Sequence, residues 1–226
     1  MWKIISCGFS PFLSIASDSS RLSVLNTVLQ RYGGPGEGDI LVTCATIVQS
    51  YLLLITMPMS GITLGSQPVV SFNYGMGNAE RIKKAIWCIT GLCVIVCRLM
   101  MVFTYTLSPF YVGMFTKDAA IRLRSVRYIK IFTAMIVPLA VQYPLVDETT
   151  ALVHVRRALF CSAFRKLIYF SGLLLLPGLV SAEAAFFSEP IADILAATMT
   201  TVLFLKTFPG IVRETRAMEK AKKAEA

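Results

Sequence analysis

Residues 40–79 read ILVTCATIVQSYLLLITMPMSGITLGSQPVVSFNYGMGNA and contain no Asp, Glu, Lys or Arg. A transmembrane helix needs about 20 mostly apolar residues to cross the hydrocarbon core of a bilayer, so this stretch is longer than one crossing. Its interior holds Pro58, Gly61, Gly65 and Pro68, residue types that disfavour a helix interior. The stretch therefore predicts one membrane span, 40–70, followed by a broken or re-entrant end.

The composition of the 226-residue chain excludes an ordinary water-soluble domain. Hydrophobic residues make up 55% and charged residues 15%, whereas a soluble domain has about 25% charged residues. Despite the net charge of +9, a nucleic-acid-binding module is disfavoured, because Lys and Arg accumulate at the cytoplasmic ends of membrane spans. No two of the six cysteines are spaced as a CxxC motif, and we interpret them as small buried hydrophobic residues.

Five further apolar stretches predict an all-α, polytopic membrane protein with six spans. The first of them is less apolar than the others and contains Asp18 and Arg21. Residues 1–210 are expected to form one six-helix lobe, and residues 211–226 a basic, solvated cytoplasmic tail that touches anionic lipid headgroups. The five additional spans are about 4–29, 85–107, 128–146, 159–180 and 186–208.

The distribution of Lys and Arg orients the predicted spans. With a cytoplasmic N-terminus, 14 of the 22 basic residues fall on cytoplasmic segments and 6 on outer segments, and Arg21 and Arg98 fall within spans. Arg165 and Lys166 are counted on the cytoplasmic side, while the basic run 117–130 counts against the assignment. The positive-inside rule thus predicts a multi-pass protein of the cell membrane with both termini in the cytoplasm.

Three motifs resemble the multidrug and toxic compound extrusion (MATE) family. Residues 61–85, GITLGSQPVVSFNYGMGNAERIKKA, are similar to that family's Gly-rich, Gln-Pro-containing helix end, its Asn-Tyr-Gly turn and the basic start of its next helix. The other two motifs are FRK at 164–166 and SEPIAD at 188–193. The resemblance covers nearly the whole chain but concerns only the second, C-terminal six-helix half of a family member.

The resemblance implies one lobe of a secondary transporter that exports drug-like or organic cationic compounds by proton or sodium antiport, without a further cofactor. The implied partners are a small-molecule substrate, membrane lipids, and either the missing N-terminal lobe or a second copy of the chain. We expect a half-transporter or truncated fragment. The alternatives are a transport-incompetent half acting as an assembly partner or remnant, and an exporter of lipid-linked saccharides from the same superfamily.

The sequence contains no phosphate-binding loop and no His-Glu-x-x-His motif. We therefore expect neither enzymatic activity nor a metal site, and no nucleic-acid partner.

Asp18 is the first candidate for ion or proton coupling. It lies about midway along the first span, where an ionised carboxylate costs roughly 2.5–3.5 kcal/mol unless it faces water or a partner. The family resemblance also implies a coupling role for an acidic residue of this helix. The alternative is a salt bridge with Arg21, three residues further on, which would hold Asp18 ionised.

Asp147 is the second coupling candidate, because it follows Pro138 and Pro144, two residues that disrupt helical hydrogen bonding. Further residues are candidates for lining a cavity between the first, second and fourth spans. The serines among them share a helical stripe with Arg21 and could equally serve helix packing. These cavity candidates are Ser10, Ser14, Ser17, Arg21, Gln67, Asn73 and Asp193.

Two other ionisable residues receive simpler interpretations. Glu189 lies at the start of the sixth span, where the helix dipole stabilises a negative charge. His154, the single histidine, is expected to be an ordinary loop residue.

Overall fold

The computed structural model describes residues 20–225, and within this range the secondary structure is helical, with no strand. Four helices are long and apolar enough to cross a membrane. One bent pair of helices adds a fifth span if the pair is taken as a single crossing. The predicted all-α, polytopic architecture is thereby confirmed. The helices are α1 (20–33), α2 (Glu37–Met76), α3 (Ala79–Gly113), α4 (Ala119–Phe132), α5 (Ile136–Ala151), α6 (Val155–Leu179) and α7 (Ser188–Glu225), with a short 3-10 helix (Ala182–Phe187) before α7.

Helix α2 contradicts the expected broken or re-entrant end, because it runs without interruption through Met76. At 40 residues it is about 60 Å long, twice the hydrocarbon thickness. Pro58 and Pro68 lie inside the helix on its exposed face, so their rings displace no packed neighbour. In the turn after Pro68, the Ser71 hydroxyl donates to the Gln67 carbonyl at 2.8 Å, which adds a hydrogen bond within the helix.

The predicted span 128–146 falls on two helices rather than one. Helices α4 and α5 are bent by 51° at a break of a few residues. Thr133 ends α4, and its hydroxyl donates to the Ile129 carbonyl at 2.8 Å. Pro138 lies in the first turn of α5, where its missing N–H breaks no helical hydrogen bond. The proline-rich sequence thus starts a new helix instead of ending the span.

The helices pack around aromatic side chains supplied by distant parts of the chain. The ring of Tyr128 on α4 stacks on Phe186 of the 3-10 helix, with centroids 4.1 Å apart. Phe132 meets Phe186 edge-on at 6.4 Å. Large apolar side chains such as Trp87 and Phe110 are exposed on α3, as expected for a helix whose surroundings are lipid.

The end of α7 differs from the solvated tail expected for residues 211–226. Ile211, Val212 and Thr215 are buried, and the Thr215 hydroxyl donates to the Ile211 carbonyl at 2.8 Å. One face of this helical extension therefore packs against the rest of the protein.

A tight glycine contact closes the turn between α1 and α2. A Cβ atom on Gly33 would lie 2.8 Å from the Cα of Gly38, and a Cβ on Gly38 would lie 3.1 Å from the Cα of Gln30. Both neighbours are backbone atoms, which cannot rotate away as a flexible side chain can. The two helices can approach this closely only because both positions lack a side chain.

We predict that Gly33→Ala lowers the free energy of unfolding by about 1–3 kcal/mol, because the added methyl group forces the two backbones apart. Gly91→Ala is the matched control, since a Cβ at Gly91 meets open space within a helix, where alanine is the better helix former. Thermal unfolding in detergent measures the difference. Equal stability of the two variants would contradict the close packing of the α1–α2 turn.

Candidate functional site

Two adjacent carboxylates of α5 face the neighbouring helix α2. Glu148 is fully buried, and its Oε1 accepts a hydrogen bond from the Ser66 hydroxyl at 2.9 Å. Asp147 has the Thr63 side chain as a hydrogen-bonding neighbour. One turn earlier on α5, the Tyr143 hydroxyl lies 3.1 Å from the Ser60 hydroxyl. A strip of polar contacts therefore runs along the α2–α5 interface.

Asp147 also lines a cavity of about 150 Å³ between α5 and α6. Its wall combines the Asp147 carboxylate with the basic side chains of Arg165 and Lys166 and with uncharged polar groups. The Gln142 Oε1 atom is buried, with no hydrogen-bond partner within residues 20–225. The full lining within that range is Leu139, Gln142, Tyr143, Val146, Asp147, Ser162, Arg165 and Lys166.

Four charged side chains from α1, α6 and α7 form a buried ion cluster beside this cavity. Arg165 donates to Asp193 Oδ1 from Nε at 2.9 Å and from Nη2 at 2.7 Å. The same Nη2 donates to Glu189 Oε1 at 2.6 Å. Arg21 pairs with the other oxygen of Glu189 and lies over the Tyr169 ring, 4.4 Å from its centroid. Glu189 and Asp193 are both fully buried.

The ion cluster balances two guanidinium groups against two carboxylates, so its four charges sum to zero when all are ionised. Burying a charge is costly, and removing one partner of a buried pair costs about 3–5 kcal/mol because the other charge is left uncompensated. The cluster thus restricts how α1, α6 and α7 can pack. Arg165 belongs to both the cluster and the cavity wall, so it connects the two.

The structure places the predicted site residues in three different settings. Asp147 lies on the cavity wall, whereas Arg21 and Asp193 belong to the ion cluster. Asn73 is buried on α2 and its amide donates to the Val69 carbonyl at 2.7 Å, and Gln67 is half-buried on the same helix. The candidates Ser10, Ser14, Ser17 and Asp18 lie outside the described residues, so the proposed Asp18–Arg21 pair stays a prediction.

Sequence reasoning missed three contributors to this region. The topology count places Arg165 among the cytoplasmic charges at the opening of the fifth span, but the residue lies about 15 Å along α6 from the start of that helix. The helix dipole alone does not account for the charge of Glu189, because this residue is fully buried between two arginines. Glu148 received no role although it is buried at the helix interface. The available signal was the placement of Arg165, Glu189 and Asp193 inside predicted apolar spans, where charges require partners.

No group of three or more His, Cys, Asp or Glu side chains within residues 20–225 is arranged to hold a metal ion.

We predict that Arg165→Met lowers the free energy of unfolding by about 3–5 kcal/mol, because Asp193 and Glu189 lose the arginine that they share. Arg156→Met is the matched control: this arginine is exposed near the start of the same helix, so its replacement should change stability by less than about 0.5 kcal/mol. Thermal unfolding in detergent provides the comparison.

A compensating variant separates the ion cluster from simple packing. Arg165→Met with Asp193→Leu leaves the Arg21–Glu189 pair, and it should recover part of the lost stability because no carboxylate is left unpaired. If Arg165→Met is as stable as Arg156→Met, the cluster does not hold the three helices together.

The sequence matches the MatE family over residues 22–170. No curated protein matches it. Solved structures that are only 15–16% identical in sequence share its fold. An outward-facing multidrug resistance MATE family transporter of the MOP superfamily is 16% identical with a TM-score of 0.82, and the alignment covers 91% of this chain and 46% of that one.

Two further structures extend the comparison. An inward-facing multidrug resistance MATE family transporter is 15% identical with a TM-score of 0.79, covering 91% of this chain and 47% of that one. A MOP superfamily transporter from Pyrococcus furiosus, whose binding pocket is described as having reversed polarity, is 16% identical with a TM-score of 0.81, covering 90% and 46%. The chain therefore spans about half the length of the solved structures it matches.

Proposed function

Because this chain belongs to the MatE family, we propose that it is one six-helix lobe of a secondary transporter that exports drug-like or organic cationic compounds by proton or sodium antiport. The observation that carries the proposal is the Asp147 carboxylate on the wall of the α5–α6 cavity. Ionisable groups on membrane helices are costly to bury, and proteins retain such groups chiefly where ions, protons or substrates move.

The surroundings of Asp147 suit reversible ion binding. Its carboxylate has the Thr63 side chain beside it, and Glu148, the next residue, is held by Ser66. A carboxylate backed by a second buried acid can be neutralised by a proton or by a hard cation such as sodium. Asp18 is proposed as the other coupling group, as its position in the first span suggests.

A complete transport path needs a second lobe in this proposal. This sequence matches slightly less than half of each solved transporter, so each of those chains contains a second part of similar length. The proposed partner is a separate N-terminal lobe or a second copy of this chain. The alternative from another class is a transport-incompetent half that acts as an assembly partner or remnant.

A second candidate substrate class is a lipid-linked saccharide. Arg165 and Lys166 stand on the cavity wall opposite a single carboxylate, and cationic side chains would suit the phosphate of such a lipid. Transport assays with both substrate classes distinguish this candidate from the export of organic cations.

The test of coupling uses the chain in proteoliposomes, with and without a co-expressed N-terminal lobe, and measures ethidium transport under an imposed pH or sodium gradient. We expect Asp147→Asn to reduce gradient-driven transport at least about tenfold, because the amide keeps the shape but cannot ionise. Asp18→Asn should do the same. Asp39→Asn, on the exposed start of α2, is the control and should be unaffected.

Each outcome of this assay decides between the candidates. Full transport by both Asp147→Asn and Asp18→Asn would refute carboxylate coupling. Transport of a lipid-linked saccharide but not of ethidium would favour the second substrate class. Absence of transport in every assembly would favour the incompetent half.

The proposed orientation, with both termini in the cytoplasm, is tested by cysteine labelling in intact cells on a cysteine-free background. A membrane-impermeant maleimide should label Gly34→Cys and Ala182→Cys, which lie at the predicted outer ends of the helices. Arg156→Cys and Lys220→Cys should react only after the membrane is permeabilised. The opposite pattern would reverse the topology.

A further inference from the structure

The C-terminal end of α7 lies directly on the turn between α2 and α3. We call residues 213–222 the strap. Gly77, which ends α2, has φ of 80° and is buried. A Cβ atom at Gly77 would lie 2.9 Å from the backbone N and 3.0 Å from the Cα of Glu219. The strap therefore sits backbone against backbone on this turn, at a distance that only glycine permits.

Two basic side chains of the strap bind the same region. Arg216 Nη2 donates to Glu80 Oε1 at 2.5 Å, at the start of α3. Lys222 Nζ donates to the Gly75 carbonyl at 2.5 Å, in the last turn of α2. The last carbonyls of a helix lack backbone partners and carry the negative end of its dipole, so a lysine there is favourable. Exposed charge pairs are individually weak, and these contacts act together with the close fit at Gly77.

The base of the strap also meets the connection between α5 and α6. Ile211 belongs to an apolar cluster with Ile82 of α3 and Leu152, which ends α5. Glu214 lies 4.0 Å from His154 Nε2. Burial, and next the nearby Arg157, lower the pKa of His154, so the imidazole is neutral at pH 7 and this contact is not an ion pair. Apolar packing is therefore the main link on this side.

We propose that the strap is a fastener that ties the cytoplasmic ends of the α2–α3 and α5–α6 helix pairs into one moving body. Its contacts reach both connections, which no loop joins directly. Glu148 lies one turn before the end of α5 that the strap region holds, so release of the strap frees the helix that forms one wall of the cavity. This role does not depend on which substrate or ion the protein carries.

Hydrogen exchange of the full-length protein, read by mass spectrometry, tests the fastener. Gly77→Ala should raise amide exchange within the strap at least about tenfold, because its backbone can no longer seat on the turn. Exchange in the 150–156 connection should rise with it. Gly36→Ala is the matched control: Gly36 has φ of 83° but open space around it, so it carries the same backbone strain without the steric clash.

A second variant keeps the test decisive if Gly77→Ala disturbs the turn for other reasons. Deleting residues 211–226 removes the clashing backbone together with Ile211 and Glu214, which contact the 150–156 connection. On that background Gly77→Ala and Gly36→Ala should have equal effects. Deletion alone should raise exchange in both the α2–α3 turn and the 150–156 connection. Equal strap exchange in the two full-length glycine variants would overturn the docking, and an unchanged 150–156 connection after deletion would overturn the fastening role.

Discussion

The ion cluster of Arg21, Arg165, Glu189 and Asp193 is the interaction on which the packing of α1, α6 and α7 depends. Water cannot solvate these charges inside a bilayer, so each must be neutralised by another part of the protein. Arg21 and Glu189 are separated by 168 positions in the sequence. Their pairing therefore joins the first described helix to the last one and aligns the helices that carry them. Because Arg165 also lines the cavity, the ion cluster fixes the position of that part of the cavity wall.

The same requirement explains why unfavourable helix residues are tolerated. Two prolines lie within α2 and one within α5, yet both helices continue past them. Hydroxyl side chains bond nearby carbonyls within these helices: Thr149, for example, donates to the Leu145 carbonyl at 2.6 Å. Backbone groups inside hydrocarbon have no water to bind, so polar contacts within the protein are favoured along these helices. The polar strip between α2 and α5 arises partly from these same side chains.

Charges in this lobe separate into two populations with different physical roles. The cluster charges are buried and compensated, so they organise helices. The charges at the helix ends near the strap are exposed, and Arg216 and Glu80 form one of their pairs. Solvent screens such exposed pairs, so the contacts of the strap can be broken at modest cost. Asp147 belongs to neither population, because it lines a cavity without an arginine or lysine ion pair among the contacts described for it.

The sequence by itself determined the all-α membrane class, the apolar stretches that become helices, and the family motifs at 61–85, 164–166 and 188–193. These are local properties, since hydropathy and turn residues act over one helix length. Even so, local reasoning read Pro58 and Pro68 as a break in α2. It also counts Arg165 as a cytoplasmic charge at the opening of the fifth predicted span.

Only the tertiary structure decided which residues meet across helices. Helical periodicity shows which side chains share a face, but not which neighbour that face packs against. The pairing of Arg165 with Asp193, the bend between α4 and α5 and the seating of Glu219 on Gly77 depend on interhelical distances of a few ångströms. Such distances are set by the packing of all the helices together, and no single stretch of sequence contains them.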